Sequence, residues 1–128
     1  MLIWKQNIIF VEDSNEHGKR SIPFNIDAEY FIANLPEAAA EKVRYNIHRV
    51  MLGERNNELF KKLENTDIWE FRTLYNRTAY RLFAFWDNDQ DTLVIVTHGI
   101  VKKTKKTPNK EIAKAEAIRK YYFENKKY

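Results

Sequence analysis

The sequence predicts a single α+β domain: a small antiparallel or mixed β-sheet packed against N-terminal helices, with a C-terminal helix. Three observations carry this expectation. Apolar residues recur three or four positions apart in residues 36–53 and again in 108–123, the period of a helix with one buried face. Between them, residues 68–101 hold three runs rich in aromatic and β-branched residues, separated by short polar turns, which is the mark of consecutive strands. A chain of 128 residues with 44% hydrophobic residues and only three Gly and three Pro is long enough for one core, too short for two, and too poor in breakers for a disordered chain.

In chain order, residues 8–11 read as a short strand that runs into a polar loop over 12–20, punctuated by Gly18. A first helix begins at Asn25 or Asp27, since either side chain can accept from the free N–H groups that follow, and Pro36 interrupts it. A second helix restarts at Pro36, with Ala39, Val43, Ile47 and Val50 on one apolar face and Gly53 placed to end it. Arg44, His48 and Arg49 ride on this helix and are expected at its surface. Residues 54–63, with Leu59, Phe60 and Leu63, are expected to add one or two helical turns.

The strands are expected over 68–74, 79–86 and 92–101. A two-residue loop at Asn76-Arg77 pairs Tyr75 with Thr78, which places Arg72 directly opposite Arg81. If Trp86 pairs with Thr92 across the next turn, Arg81 lies opposite Thr97. Side chains alternate between faces, so Trp69, Phe71, Tyr80, Leu82, Trp86, Val94, Val96 and Ile100 share the face covered by the helices. The other face is divided. Ile68, Phe83, Phe85, Leu93 and Ile95 make an apolar end, and Arg72, Arg81, Thr97 and Lys103 gather at the opposite end. Two readings of the apolar end stay open: it is the surface on which a partner docks, or the C-terminal helix folds back over it through Ile112, Ile118 and Tyr122.

Charge is concentrated at the end of the chain. Residues 98–128 carry ten Lys or Arg against three Glu, whereas residues 1–97 carry twelve basic and fifteen acidic residues, so the overall +4 conceals a strongly basic C-terminal quarter. Its centre is the stretch 101–110, with five lysines and no acid, set between the last strand and the last helix, with Thr107 suited to cap that helix and Pro108 to its first turn. Lysines just before a helix N-terminus add to the partial positive charge there, which points to an anionic partner. Two arginines directly opposite one another repel unless an anion lies between them, and that anion is either a phosphate or an internal carboxylate such as Glu70. Lys105, Lys106 and Lys110 are the lysines expected to bind a nucleic-acid phosphate backbone if the anion is one, with Tyr121 and Tyr128 as residues that could stack on bases or pack.

Composition excludes several classes. With no Cys there is no disulfide framework and no thiolate metal site, and no His, Asp and Glu cluster has the spacing of metal ligands. No segment reaches the length of an apolar membrane span and the first ten residues lack an apolar stretch of signal-peptide length, so a cytoplasmic, soluble protein with no membrane partner is expected.

Three segments together, Ile68-Trp69-Glu70-Phe71-Arg72, Tyr80-Arg81-Leu82-Phe83, and His98-Gly99-Ile100-Val101-Lys102-Lys103-Thr104-Lys105-Lys106-Thr107-Pro108, resemble the phage-derived HigB-like branch of the RelE/ParE toxin superfamily. The resemblance is strong over 63–122 and weak before residue 26. It implies a RelE-like sheet backed by N-terminal helices, an mRNA interferase that cuts translated message at the ribosome, and a helix-turn-helix antitoxin partner. It also implies that Arg81 steadies the scissile phosphate, that Arg72 is a second basic group, and that Lys102 and Lys103 are the basic pair closing the last strand. Thr107-Pro108-Asn109 carries none of the groups that serve as general base elsewhere in the superfamily. His98 is one candidate, because its reference pKa of about 6.5 suits proton transfer near neutrality, although the register points it toward the core face. Lys103 is the other, its pKa lowered by neighbouring cations.

The resemblance implies a toxin of a type II toxin-antitoxin system, and with it the residues lead to an endoribonuclease with no cofactor and no metal, in which the RNA's own hydroxyl attacks the adjacent phosphate. Replacing Arg81 by Ala is expected to abolish cleavage with the fold nearly intact. Two alternatives stay open: a non-catalytic double-stranded RNA-binding module, whose helix, three strands and closing helix have the same order, and a gyrase-targeting ParE-like toxin.

Overall fold

The computed structural model describes residues 4–5, 8–13, 20–87, 93–102 and 106–125. Strands β1 (Trp4–Lys5), β2 (Ile8–Asp13) and β3 (Arg20–Asn25) lead into helices α1 (Ile26–Ala33) and α2 (Glu37–Met51). Strands β4 (Phe60–Lys62), β5 (Trp69–Tyr75), β6 (Thr78–Asp87) and β7 (Leu93–Lys102) follow, and helix α3 (Asn109–Asn125) closes the chain. The fold is α+β. Its sheet runs in the order β1-β2-β3-β7-β6-β5-β4, antiparallel throughout except for the parallel contact of β3 with β7 at Phe24 and Val96.

Local chemistry explains most boundaries. Asn25 caps α1, its side chain accepting from the Asp27 N–H at 2.9 Å, and the helix ends at Asn34, before Pro36. Pro36 then precedes α2, and Gly53 follows it with φ of 96°, a conformation that costs glycine little. The Asn76-Arg77 turn has both φ values positive, at 50° and 63°, as a tight two-residue hairpin requires. On α2, Arg49 pairs with Glu54 at the surface.

Two expectations for the elements are corrected. Residues 60–62 form an edge strand and not a helical turn, because Phe60 pairs with Phe71 across the sheet and its ring stacks on Trp69 at 4.8 Å. Tertiary pairing outweighs local pattern here. Residues 20–25 form a strand, filling the stretch between the loop expected to end at Arg20 and the helix expected from Asn25 or Asp27. Pro23, which cannot donate to a ladder, hides the strand signal.

The sheet is covered on both faces. On one, α1 and α2 bury Ala28, Ile32, Ala39, Val43 and Ile47 against Phe71, Leu82 and Ala84. On the other, Ala115 of α3, with Ile118, Tyr122 and Phe123 around it, covers Ile68, Phe83 and Phe85, all three fully buried. The second of the two readings of this face is the observed one. The side chains of Leu93 and Ile95 lie outside the described residues.

The β6–β7 register differs from the expected one in two steps with different consequences. Trp86 pairs with Val94 rather than Thr92, a shift of two that leaves every side chain on its expected face. Farther along, a β-bulge intervenes: Ala84 pairs with Val96 and Phe83 with His98, so Thr97 has no partner, and its hydroxyl donates instead to the Phe83 carbonyl at 3.1 Å. That shift of one reverses the faces of everything beyond it. Arg81 therefore lies opposite Ile100 and not Thr97, and His98, Ile100 and Lys102 all turn to the face that carries α3.

Candidate functional site

The β5–β6 pairing sets Arg72 directly opposite Arg81, as the hairpin turn predicts. On the same face Glu70 lies one pair away, opposite Phe83, with Lys61 of β4 as its partner on the other side, and Lys102 lies opposite Ala79 at the far end. Four cations thus gather around one carboxylate. The bulge brings Lys102 into this group. Lys103 and Lys105 lie outside the described residues.

Glu70, the internal carboxylate named above, lies between the two arginines. It is only 2% exposed, and its Oε1 is 3.2 Å from Arg81 Nε and 3.5 Å from Arg72 Nε. These distances make ion pairs, and neither buried Nε–H reaches the geometry of a hydrogen bond. Arg81 Nη1 donates to the Tyr80 carbonyl at 3.1 Å and Arg72 Nη1 to the Asn57 carbonyl at 3.3 Å. One carboxylate oxygen shared between two guanidiniums holds them together and leaves an excess of positive charge. A tetrahedral phosphate is the kind of further anion whose oxygens suit two planar forks.

Glu70 Oε2 is held separately. The Thr107 hydroxyl donates to it at 2.7 Å, so Thr107 serves this carboxylate and not the helix end it was expected to cap. The first bonds of α3 run instead from the Glu111 and Ile112 N–H groups to the Pro108 carbonyl.

The electrostatics follow from burial and crowding. Burial pushes the Arg81 guanidinium below its ordinary pKa, Glu70 opposes that and Arg72 adds to it. Lys102 is likewise lowered, first by burial, with Glu70 opposing and Arg81, Arg72 and Lys61 pressing further down. A lysine shifted this way gives up its proton more readily than one in water.

His98 is placed differently. It is 3% exposed, packed against the Phe83 ring at 4.9 Å with the planes tilted by 34°, with Nδ1 2.9 Å from the Thr97 hydroxyl and Nε2 3.8 Å from a Glu111 carboxylate oxygen. Burial first, and Lys114 next, lower its pKa to about 4 against the opposing pull of Asp27, so the ring is neutral at pH 7. In the sheet Phe83 stands between His98 and Glu70, so His98 lies beneath α3 and apart from the cations. Lys106 and Lys110 are exposed beside the start of α3. Tyr121 is exposed too, on the outer side of that helix, and Tyr128 lies outside the described residues. The sequence reading missed Lys61, Thr107 and Lys102's place on this face. Thr107 and Lys102 were visible in the motif that closes the last strand, whereas Lys61 had no sequence signal.

Among the described residues, no group of three or more His, Cys, Asp or Glu is placed to hold a metal ion, and no helix is long and apolar enough to cross a membrane. Comparison with family models matches residues 30–120 to the phage-derived Gp49-like proteins (DUF891). The chain belongs to this family. The match spans α2, β4 to β7 and most of α3, and so includes every residue of the cation cluster. Gp49-like proteins fall in the RelE/HigB-like toxin group, which carries the association with toxin-antitoxin systems and implies an antitoxin partner. No curated protein matches the chain.

Proposed function

We propose that this Gp49-like protein is the toxin of a type II toxin-antitoxin pair and acts as a metal-independent mRNA interferase, cutting translated message at the ribosome in the cytoplasm until a helix-turn-helix antitoxin silences it. The observation that carries the proposal is the pairing of Arg72 and Arg81 across β5 and β6, with Glu70 too small an anion to satisfy both. Two arginines on one carboxylate leave a net positive charge, which a phosphodiester neutralises.

In this reaction the RNA's 2′-oxygen bonds to the adjacent phosphorus, the bond from phosphorus to the 5′-oxygen breaks, and the message is left with a cyclic phosphate at one new end and a 5′-hydroxyl at the other. Arg81 and Arg72 oppose the charge that builds on the phosphoryl oxygens. Lys102, with its lowered pKa, protonates the departing 5′-oxygen. Lys103, the next residue, is the candidate base for the 2′-hydroxyl, because the burial of His98 keeps it from a bound strand. Lys105, Lys106 and Lys110 hold the flanking phosphates.

Inducing the protein in cells and mapping message ends tests the proposal. New 5′-hydroxyl ends inside translated frames and absent from untranslated RNA are expected. Growth arrest with intact messages and altered plasmid supercoiling supports the gyrase-targeting reading instead. No growth defect in a host lacking the neighbouring gene removes toxin function and favours the double-stranded RNA-binding module.

A further inference from the structure

Thr107 enters a site built otherwise from strands. Its hydroxyl lies at the foot of α3, 37 residues from Glu70 in sequence, yet donates to that carboxylate at 2.7 Å from a buried position. A carboxylate beside two guanidiniums has a competing arrangement: it can turn so that both oxygens face one arginine in a bidentate pair. That arrangement satisfies one guanidinium fully, neutralises it and abandons the other. In the observed geometry Oε2 accepts from Thr107, while Oε1 lies 3.2 Å from Arg81 Nε and 3.5 Å from Arg72 Nε without a hydrogen bond from either Nε–H.

We infer that Thr107 and Glu70 form a positioning pair: the Thr107 hydroxyl holds the Glu70 carboxylate in its shared orientation, so that Arg81 and Arg72 both keep donors directed at one phosphate. Neither residue touches the reacting atoms. The inference rests on the nuclease reading for its catalytic consequence, but the arrangement of the arginines does not depend on it. It also gives the Thr-Pro at the start of α3 a task other than capping, and it links the lysine-bearing segment to the arginines through one hydrogen bond. Displacement of catalytic groups by a fraction of their contact distance lowers rate far more than affinity.

The test compares Thr107→Val, which keeps the shape and loses the hydroxyl, with Thr107→Ser, which keeps the hydroxyl. Single-turnover cleavage of a model RNA is expected to fall about tenfold in Thr107→Val with the Kd for RNA within about twofold, and Thr107→Ser is expected to recover most of the rate. In an Arg81→Ala background, Thr107→Val is expected to cost nothing more, because its effect passes through Arg81. A wild-type rate in Thr107→Val, an equal loss with Thr107→Ser, or the same loss in both backgrounds overturns the inference. The 15N Nε–H resonances of Arg72 and Arg81 give a readout without catalysis: both are expected to move in Thr107→Val and stay in Thr107→Ser, and resonances unmoved in Thr107→Val overturn the positioning pair. If the wild type cleaves no RNA, the nuclease reading falls and these resonances alone decide the pair. Should Thr107→Val fail to fold, Glu70→Gln keeps the shape and still accepts from Thr107. A wild-type rate and unmoved arginine resonances in that variant overturn the inference.

Discussion

Arg81→Ala separates the site's two demands on one side chain. Arg81 Nε lies 3.2 Å from a Glu70 oxygen buried to 2% exposure, and at an effective dielectric near 20 that contact is worth about 5 kcal/mol of gross attraction. Removing one partner of a buried pair typically costs about 3 to 5 kcal/mol, because the charge left behind stays desolvated. Here Glu70 keeps Arg72 at 3.5 Å and the Thr107 hydroxyl, and loss of Arg81 also relieves its repulsion with Arg72, so the low end, about 3 kcal/mol, is expected. The sequence alone suggested an intact fold after this change, and the Glu70 contact is the reason to revise it. Urea denaturation of wild type, Arg81→Ala, and Arg81→Ala with Glu70→Gln measures the effect, and the double variant is expected to regain part of the loss since no buried carboxylate remains. Cleavage measured where Arg81→Ala is still folded by circular dichroism is expected to fall about 10²- to 10³-fold, the usual cost of losing one stabiliser of developing charge. Unchanged stability would show that Glu70 does not depend on Arg81. Cleavage within a few-fold of wild type would remove Arg81 from the reaction.

Three further outcomes are expected. His98 is held neutral, with a pKa of about 4 in the folded chain against 6.5 unfolded, so the unfolded state gains its proton first and stability falls as pH drops from 6.5 toward 4, by about 3 kcal/mol in all; His98→Leu should flatten that part of the profile in urea denaturation at successive pH values, and an unchanged slope would refute the assignment. A methyl group on Gly99 overlaps the Phe31 ring, so Gly99→Ala is expected to destabilise by roughly 1 to 3 kcal/mol, with recovery on Phe31→Leu; a neutral Gly99→Ala would mean that α1 does not pack on β7 here. Lys105 and Lys106 changed together to Gln should lower the slope of log affinity for single-stranded RNA against log salt by about 1.4, with little change in the rate of bound substrate, and an unchanged slope would return both to ordinary surface charge.

Much of this was legible in the sequence because it depends on neighbours in the chain. The Asn76-Arg77 turn alone fixes Arg72 opposite Arg81, since a two-residue hairpin leaves no freedom of register. The α2 face and its end at Gly53 follow from helical spacing and from one residue's tolerance of positive φ. Strands β3 and β4 were not legible: one contains Pro23, and the other is three residues long and exists because Phe60 finds Phe71 and Trp69 across the sheet.

The composition of the site turned on a single residue that no pattern announces. Loop length between β6 and β7 changed the register by two and moved nothing to the wrong face, whereas the bulge at Thr97 changed it by one and exchanged the faces of His98, Ile100 and Lys102. Alternation in the sequence is blind to such an insertion, because residues on either side of it still alternate. The consequence is chemical as well as geometric. Without the bulge, His98 and Lys102 would both point to the α1–α2 side. With it, His98 packs on Phe83 under α3 with its proton lost, and Lys102 joins Arg72, Arg81 and Lys61 around Glu70. Thr97 sustains this arrangement by giving its hydroxyl proton to the Phe83 carbonyl while its oxygen lies 2.9 Å from His98 Nδ1, so one buried side chain stabilises both the irregular backbone and the imidazole beside it.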